Sequence, residues 1–221
     1  MPAAAAAELP ADWRARLRRA LAAAPDHSLQ RSRPAGLARE SPATLARLRA
    51  HWPATLTPAA VLVPIIDRPD APTLLMTRRA SHLRRHAGQI CFPGGRLEAH
   101  DADLIAAAIR ETGEEVGIAA ASIEPIGFLS DHVVLTGYRI TPVVALLPPD
   151  LTARPDGAEV AEVFELPLTV ALDAGHYRIA HRVVRDIEVE TWELSFGSYI
   201  IWGATAGILA HLREAFGEAR A

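Results

Sequence analysis

Residues 110–118 read Arg-Glu-Thr-Gly-Glu-Glu-Val-Gly-Ile. Glu111, Glu114 and Glu115 are offset by three and four, so a helix carries them on one face. Like charges at that spacing repel, and acids near a helix C-terminus oppose its dipole. With Asp101 and Asp103 upstream, such a face gains most if it binds a cation. Hard divalent ions such as Mg²⁺ and Mn²⁺ take oxygen ligands, and Mg²⁺ is commonly shared with phosphates. Before the acids stand Gly94 and Gly95, which allow backbone conformations closed to other residues and so let a loop approach a phosphate or a metal. The competing readings are a solvated acidic helix end and a plain turn.

A basic counterpart lies just upstream. Arg78, Arg79, Arg84 and Arg85 with His82 and His86 form the strongest local positive cluster, and arginine forks suit phosphate oxygens. The alternative is a solvated basic loop. His82 and His86 have the i, i+4 spacing of a metal pair but lack the glutamate and cysteines that would make a zinc site persuasive. Trp192 and Trp202 could stack on a base, although a large aromatic in a strand is more often core.

These residues need a scaffold. Ala59 to Ile66 is an apolar, β-branched run and reads as a buried strand. Further strands are expected over Thr73–Thr77, Ile90–Phe92, Ile123–Leu129, Arg139–Leu147, Val160–Leu166, Arg178–Ala180, Ile187–Trp192 and Tyr199–Trp202. The acidic helix should run from Asp101 or Ala102 to Val116, with Asp101 as N-cap and Gly117 as its stop. A last helix over Gly203–Phe216 carries Ile208, Leu209, Leu212 and Phe216 on one face. Residues 1–12 read as disordered, 13–24 as a helix with Trp13, Leu17, Ala20, Leu21 and Ala24 on one stripe, 25–42 as a linker and 43–50 as another short helix. The expected organisation is an N-terminal extension over 1–55 and a main domain over 56–221. The fold class is α/β (α+β), with a mixed sheet between helices.

Composition narrows the class. The chain has 221 residues and a net charge of −3, and all 23 basic residues are arginine. The acidic balance argues against a nucleic-acid partner. No stretch is long and apolar enough for a membrane helix. Acids interrupt the start where a secretion signal needs a basic and then an apolar region, so cytoplasm is the expectation. The single cysteine, Cys91, precludes an internal disulfide and reads as a buried thiol. A homodimer is compatible with the sequence.

The acidic segment resembles the Nudix box, the signature of hydrolases that cleave nucleoside diphosphates linked to another moiety. Arg110-Glu111-Thr112-Gly113-Glu114-Glu115-Val116-Gly117-Ile118 matches its second half, with Thr112 in place of the usual aliphatic residue. The first half departs from it. The position expected to be acidic is Ala102, while Asp101 fits as an acid displaced by one residue, with five residues between it and Gly95. Upstream, Leu74 to Gly95 looks like the extra motif of the coenzyme A pyrophosphatase branch, with Ala80 before Ser81 and Cys91 where serine is usual. Residues 136–144 and 202–209 resemble the same branch. The resemblance implies an α/β/α sandwich and Mg²⁺- or Mn²⁺-dependent hydrolysis of the diphosphate of coenzyme A or its thioesters. It implies Glu111, Glu115 and Glu114 as metal ligands. The general base is Glu114 or an acid from a later loop, here Glu159 or Glu162. Arg78, Arg79, Arg84, His86, Gly94 and Gly95 are the implied substrate contacts. Competing functions are a broader Nudix hydrolase of nucleoside triphosphates or nucleotide sugars, and a non-catalytic nucleotide sensor.

Overall fold

The structure, a computed structural model, describes residues 9–28, 31–39 and 41–218. In chain order its elements are α1 (Trp13–Ala20), β1 (Arg33–Pro34), α2 (Pro42–Arg49), β2 (Thr57–Ile66), β3 (Thr73–Arg79), β4 (Ile90–Cys91), β5 (Gly94–Arg96) and α3 (Leu104–Val116). Then come β6 (Glu124–Phe128), β7 (His132–Val133), β8 (Tyr138–Leu147), β9 (Val160–Pro167), α4 (Leu168–Leu172), β10 (Tyr177–Val184), β11 (Ile187–Phe196), β12 (Tyr199–Trp202) and α5 (Gly203–Glu218).

Among the described residues β1 to β9 make one mixed sheet. Its spine is the parallel pair β2–β8, in register from Thr57–Tyr138 to Ile66–Leu147. The other edge of β2 is shared: β5 pairs along Ala59–Val61 and β3 at Ile65 and Ile66. Pro64 falls in the gap between them. The Leu62 N–H points to this same edge and bonds the Pro93 carbonyl, so by the two-residue repeat the donor that Pro64 lacks faces a position where no strand asks for it.

Strand alternation sorts the core into two layers. Ala60, Leu62 and Ile66 of β2, Leu75 of β3, and Val143, Ala145 and Leu147 of β8 face Leu104, Ala107, Ala108 and Val116 of α3. Val63, Ile65, Leu74, Met76, Val144 and Leu146 face the other way, onto Leu168 of α4, Ile208, Leu209 and Leu212 of α5, and Trp13 and Leu17 of α1. A strand covered on both faces needs the unbroken apolar run that β2 carries. The result is the expected α/β/α sandwich with a mixed sheet.

Three features differ from the sequence reading. α5 buries more than one stripe: Thr205, Ala206, Ala210 and His211 are buried beside Ile208, Leu209, Leu212 and Phe216. The reason is a second, antiparallel sheet, β10–β11–β12, which packs on the helix from outside. The linker expected over residues 25–42 is not free where it is described. Arg33 and Ala35 N–H groups bond the Asp131 and Val133 carbonyls, while Ala38 and Gly36 bond Glu190 and Trp192 of β11. Alternating pairing of this kind is hard to see in a segment only a few residues long. The expected disorder of residues 1–12 falls mostly on residues 1–8, outside the described residues; Leu9 packs against the core. Among the described residues no helix is long and apolar enough to cross a membrane.

Candidate active site

α3 begins at Leu104 because the Asp103 carboxylate accepts from the Ala106 N–H at 2.8 Å, and it ends at Gly117, in the left-handed region at φ 70°. The N-cap is therefore Asp103, not Asp101. Asp101 is engaged elsewhere: it accepts from Arg110 Nε and Nη2 at 2.9 and 3.0 Å and from the Glu98 N–H at 2.9 Å. The arginine holds its carboxyl down at about 2. A cap forms on the residue whose side chain can reach the third N–H onward, and a contact nine residues along the chain competed for Asp101.

The buried stripe of α3 runs Leu104, Ala108, Thr112, Glu115. Thr112 tolerates burial because its hydroxyl donates to the Ala108 carbonyl at 2.7 Å. Glu115 has no such internal solution. It is 6% exposed and accepts one hydrogen bond, from the Gly94 N–H at 3.2 Å. Burial pushes its carboxyl up to about 7, with Glu111 adding to the rise. Burial also raises Glu111, against the pull of Arg110. Glu114, one position off the stripe, is mostly exposed.

Arg110 organises the cluster. Its Nη1 lies 3.0 Å from Glu111 and 3.1 Å from Glu114, and its Nη2 reaches the Arg96 carbonyl at 3.2 Å. As they stand, no three acidic, histidine or cysteine side chains among the described residues are arranged to hold a metal ion. The guanidinium sits between Glu111 and Glu114 as the local cation. The donor set nevertheless suits a hard divalent ion: three carboxylates on one helix, two of them destabilised as anions by burial.

The loop in front is cut to fit. A Cβ on Gly95 would lie 2.2 Å from Glu111 Oε1, and one on Gly94 would lie 2.3 Å from the Ala60 carbonyl. Only glycine lets β5 pass between β2 and the carboxylates at this distance.

The remaining sequence candidates divide by sheet face. Arg79 and Glu159 stand on the α3 side. They form an ion pair at 3.3 Å; Arg79 lowers Glu115, and the Glu159 charge raises both Glu111 and Glu115. Arg78 and Glu162 are directly opposed across β3–β9, on the other side. Glu162 is taken up by Arg78 at 2.6 Å and by the Tyr199 hydroxyl at 2.5 Å, beside the Phe164–Tyr199 stack. The fold thus brings Glu159 to the box and leaves Glu162 away from it. Arg84 and His86 lie exposed on the 80–89 loop, where His86 Nδ1 meets Gln89 Oε1 at 2.8 Å. His82 is exposed too. The Cys91 thiol is raised by burial and lies 3.2 Å from the Thr77 hydroxyl. Trp192 packs edge-on against Tyr177, while Trp202 is stacked by Arg182. Sequence reasoning did not single out Asp156, whose carboxylate accepts from the Glu159 and Val160 N–H groups and so shapes the loop presenting Glu159.

The Nudix domain family model matches residues 56–187. The chain belongs to the Nudix family. Its relatives include an uncharacterized Nudix hydrolase, NudL, of Escherichia coli O1:K1, 47% identical over 154 residues, 70% of this chain and 80% of the relative. NudL of Shigella boydii serotype 18 matches to the same extent. Among solved structures, a MutT/Nudix family protein from Enterococcus faecalis aligns with TM-score 0.49 and 18% identity over 82% of this chain and 70% of that one. The Mycobacterium smegmatis Nudix hydrolase RenU aligns with TM-score 0.44 and 23% identity over 51% and 71%. The chain is therefore a hydrolase of nucleoside-diphosphate-linked substrates, from a family that generally uses divalent metals.

Proposed function

We propose that this Nudix hydrolase cleaves the diphosphate of coenzyme A or its thioesters, giving 3′,5′-ADP and 4′-phosphopantetheine or its acyl form. The observation that carries the reading is the segment Leu74–Gly95. It resembles the coenzyme A pyrophosphatase motif, and it forms the strands and loop that lead into the carboxylate helix.

Glu111 and Glu115, assisted by Glu114, would hold Mg²⁺ or Mn²⁺. A divalent ion there supplies charge neutralisation for the diphosphate oxygens and an acidified water. Arg110, anchored by Asp101, keeps Glu111 and Glu114 turned toward β5. Gly94 and Gly95 let β5 lie directly against Glu111 and the β2 backbone, which brings the carboxylates up to the loop. Glu159 accepts the proton of the attacking water as the new P–O bond forms. The bridging P–O bond breaks, and its oxygen leaves on the departing phosphate. Arg79, beside Glu159, faces the same charge, and Arg84 and His86 on the loop are the contacts proposed for the outer phosphate of the substrate.

The test is mass spectrometry of products from coenzyme A, acyl-coenzyme A, nucleoside triphosphates and nucleotide sugars with Mg²⁺ or Mn²⁺, for the wild-type chain and Glu115→Gln. Coenzyme A should yield 3′,5′-ADP, and the variant should stay folded and inactive. Coenzyme A left intact while other nucleotides are consumed would replace this substrate with the broader reading. Full activity in Glu115→Gln would remove the metal assignment. No turnover of any substrate would favour the non-catalytic sensor.

A further inference from the structure

On the α3 side of the sheet, where β2 and β8 begin, lies a cavity of about 300 Å³. Pro25, Pro58, Leu97, Leu104, Ile105 and Phe128 form its walls, and His27, Arg139 and Asp103 its polar rim. Behind the rim stands Asp131, with no exposed surface. Its carboxylate accepts from the Thr141 hydroxyl at 2.6 Å and lies 2.8 Å from His27 Nδ1 and 3.4 Å from Arg139 Nε. A carboxylate is buried only when partners of this kind compensate it. Asp131 thereby holds His27 by a hydrogen bond and Arg139 by charge alone. Nε2 of His27 and the terminal nitrogens of Arg139 have no hydrogen-bond partner among the described residues.

The charges decide what fits. Asp131 offsets Arg139, and Asp103 adds a further negative charge at the rim. Even a proton on His27 would only balance Asp103, so no surplus positive charge is left to draw a phosphate, whereas free guanidinium donors and an imidazole nitrogen above an apolar floor suit the amide groups of an uncharged chain. The position is also right. Leu104 is seven residues before Glu111 on α3, roughly 10 Å along a helix, and Leu97 follows Gly95 closely, its N–H bonded to the Pro58 carbonyl at 3.0 Å.

We propose that this cavity is the subsite for the uncharged, amide-bearing arm of the substrate, with Arg139 donating to its carbonyl oxygens and His27 Nε2 hydrogen-bonding its amide group. Residues 25–27 of the N-terminal extension then select the substrate. The identity of the arm rests on the coenzyme A reading.

The test is saturation-transfer NMR on the full chain with free pantetheine, which carries neither phosphate nor nucleotide, and with inorganic phosphate as competitor. Wild type should show transfer to pantetheine that phosphate does not displace. Ile105→Trp, which fills the cavity, and His27→Ala, a milder change at a part-exposed side chain, should each weaken it about tenfold. In both variants KM for coenzyme A should rise about tenfold, with kcat within about twofold. Pantetheine binding lost in the variants upholds the subsite even where coenzyme A is not cleaved, and then only the substrate reading falls. No transfer in wild type, transfer untouched in His27→Ala and any folded Ile105→Trp, or displacement by phosphate overturns the subsite, whatever the enzyme cleaves.

Discussion

At the scale of single residues, the site is a set of close approaches. Glu111 occupies the space that a Cβ on Gly95 would need. Gly95→Ala should therefore displace the carboxylate and lower kcat on the order of 10²-fold, as small misplacements at a reacting centre do. Steady-state kinetics beside a thermal melt would check it; unchanged kcat would mean that the Glu111 position is immaterial. The two later acids make a sharper contrast. Glu159 stands with the box carboxylates, while Glu162 faces Tyr199 across the sheet. Glu159→Gln should cost kcat about 10²- to 10³-fold, and Glu162→Gln less than about threefold, when the two variants are assayed side by side. The reverse order would move the base to the other face. Sequence offered both acids equally, because the two-residue repeat does not say which face meets the box, and a bulge between Arg78 and Arg79 shifts the register just where the two acids stand.

At the scale of elements, α1 shows how the extension is attached. Trp13 and Leu17 enter the same core layer as Val63 and Leu209, and Arg14 and Arg18 pair with Asp67 and Glu124 on the domain. The ion pairs are exposed and contribute little; the apolar stripe carries the docking. Leu17→Ala should cost about 3 kcal/mol by urea denaturation, and Arg18→Ala under about 0.5 kcal/mol. Equal effects would show that charge holds the helix. The stripe was legible from its 3.6-residue period. The pairing of residues 33–38 with β7 and β11 was not, since those contacts join segments about a hundred or more residues apart, and the proline and glycine there look like linker on their own. For α3 the period was legible as well, but its N-cap was not: Asp101 and Asp103 are chemically alike, and the contact with Arg110 separated them.

At the scale of the whole molecule, burial sets two opposed pH limbs. Glu115 titrates near 7 in the fold and near its ordinary 4.5 when unfolded. Its contribution is thus full below about 4.5 and is lost as pH rises through 7, a change of roughly 3 kcal/mol without a divalent ion. His132 and His211, their rings tilted with centroids 5.7 Å apart and buried, are held neutral: burial lowers His211 to about 4 and His132 well below its ordinary value. Their contribution is present above about 6.5 and is lost as pH falls through 4. Stability in chelator should peak near pH 6 in urea titrations from pH 4 to 9. Glu115→Gln should flatten the alkaline limb and His211→Leu the acid limb. Mg²⁺ should stabilise more at pH 8 than at pH 5, since the ion takes the ionised carboxylate. Stability that climbs steadily to pH 9 in chelator would contradict the burial of Glu115. The sequence by itself determined the reaction family, the carboxylate helix and the strands of the core, because residue types at fixed spacing and apolar periodicity are local properties. Only the tertiary structure decided which acid stands beside the box, why Asp101 serves Arg110, and how residues 33–38 pair with β7 and β11. Those outcomes depend on strand register, sheet face and burial, which arise when distant segments pack.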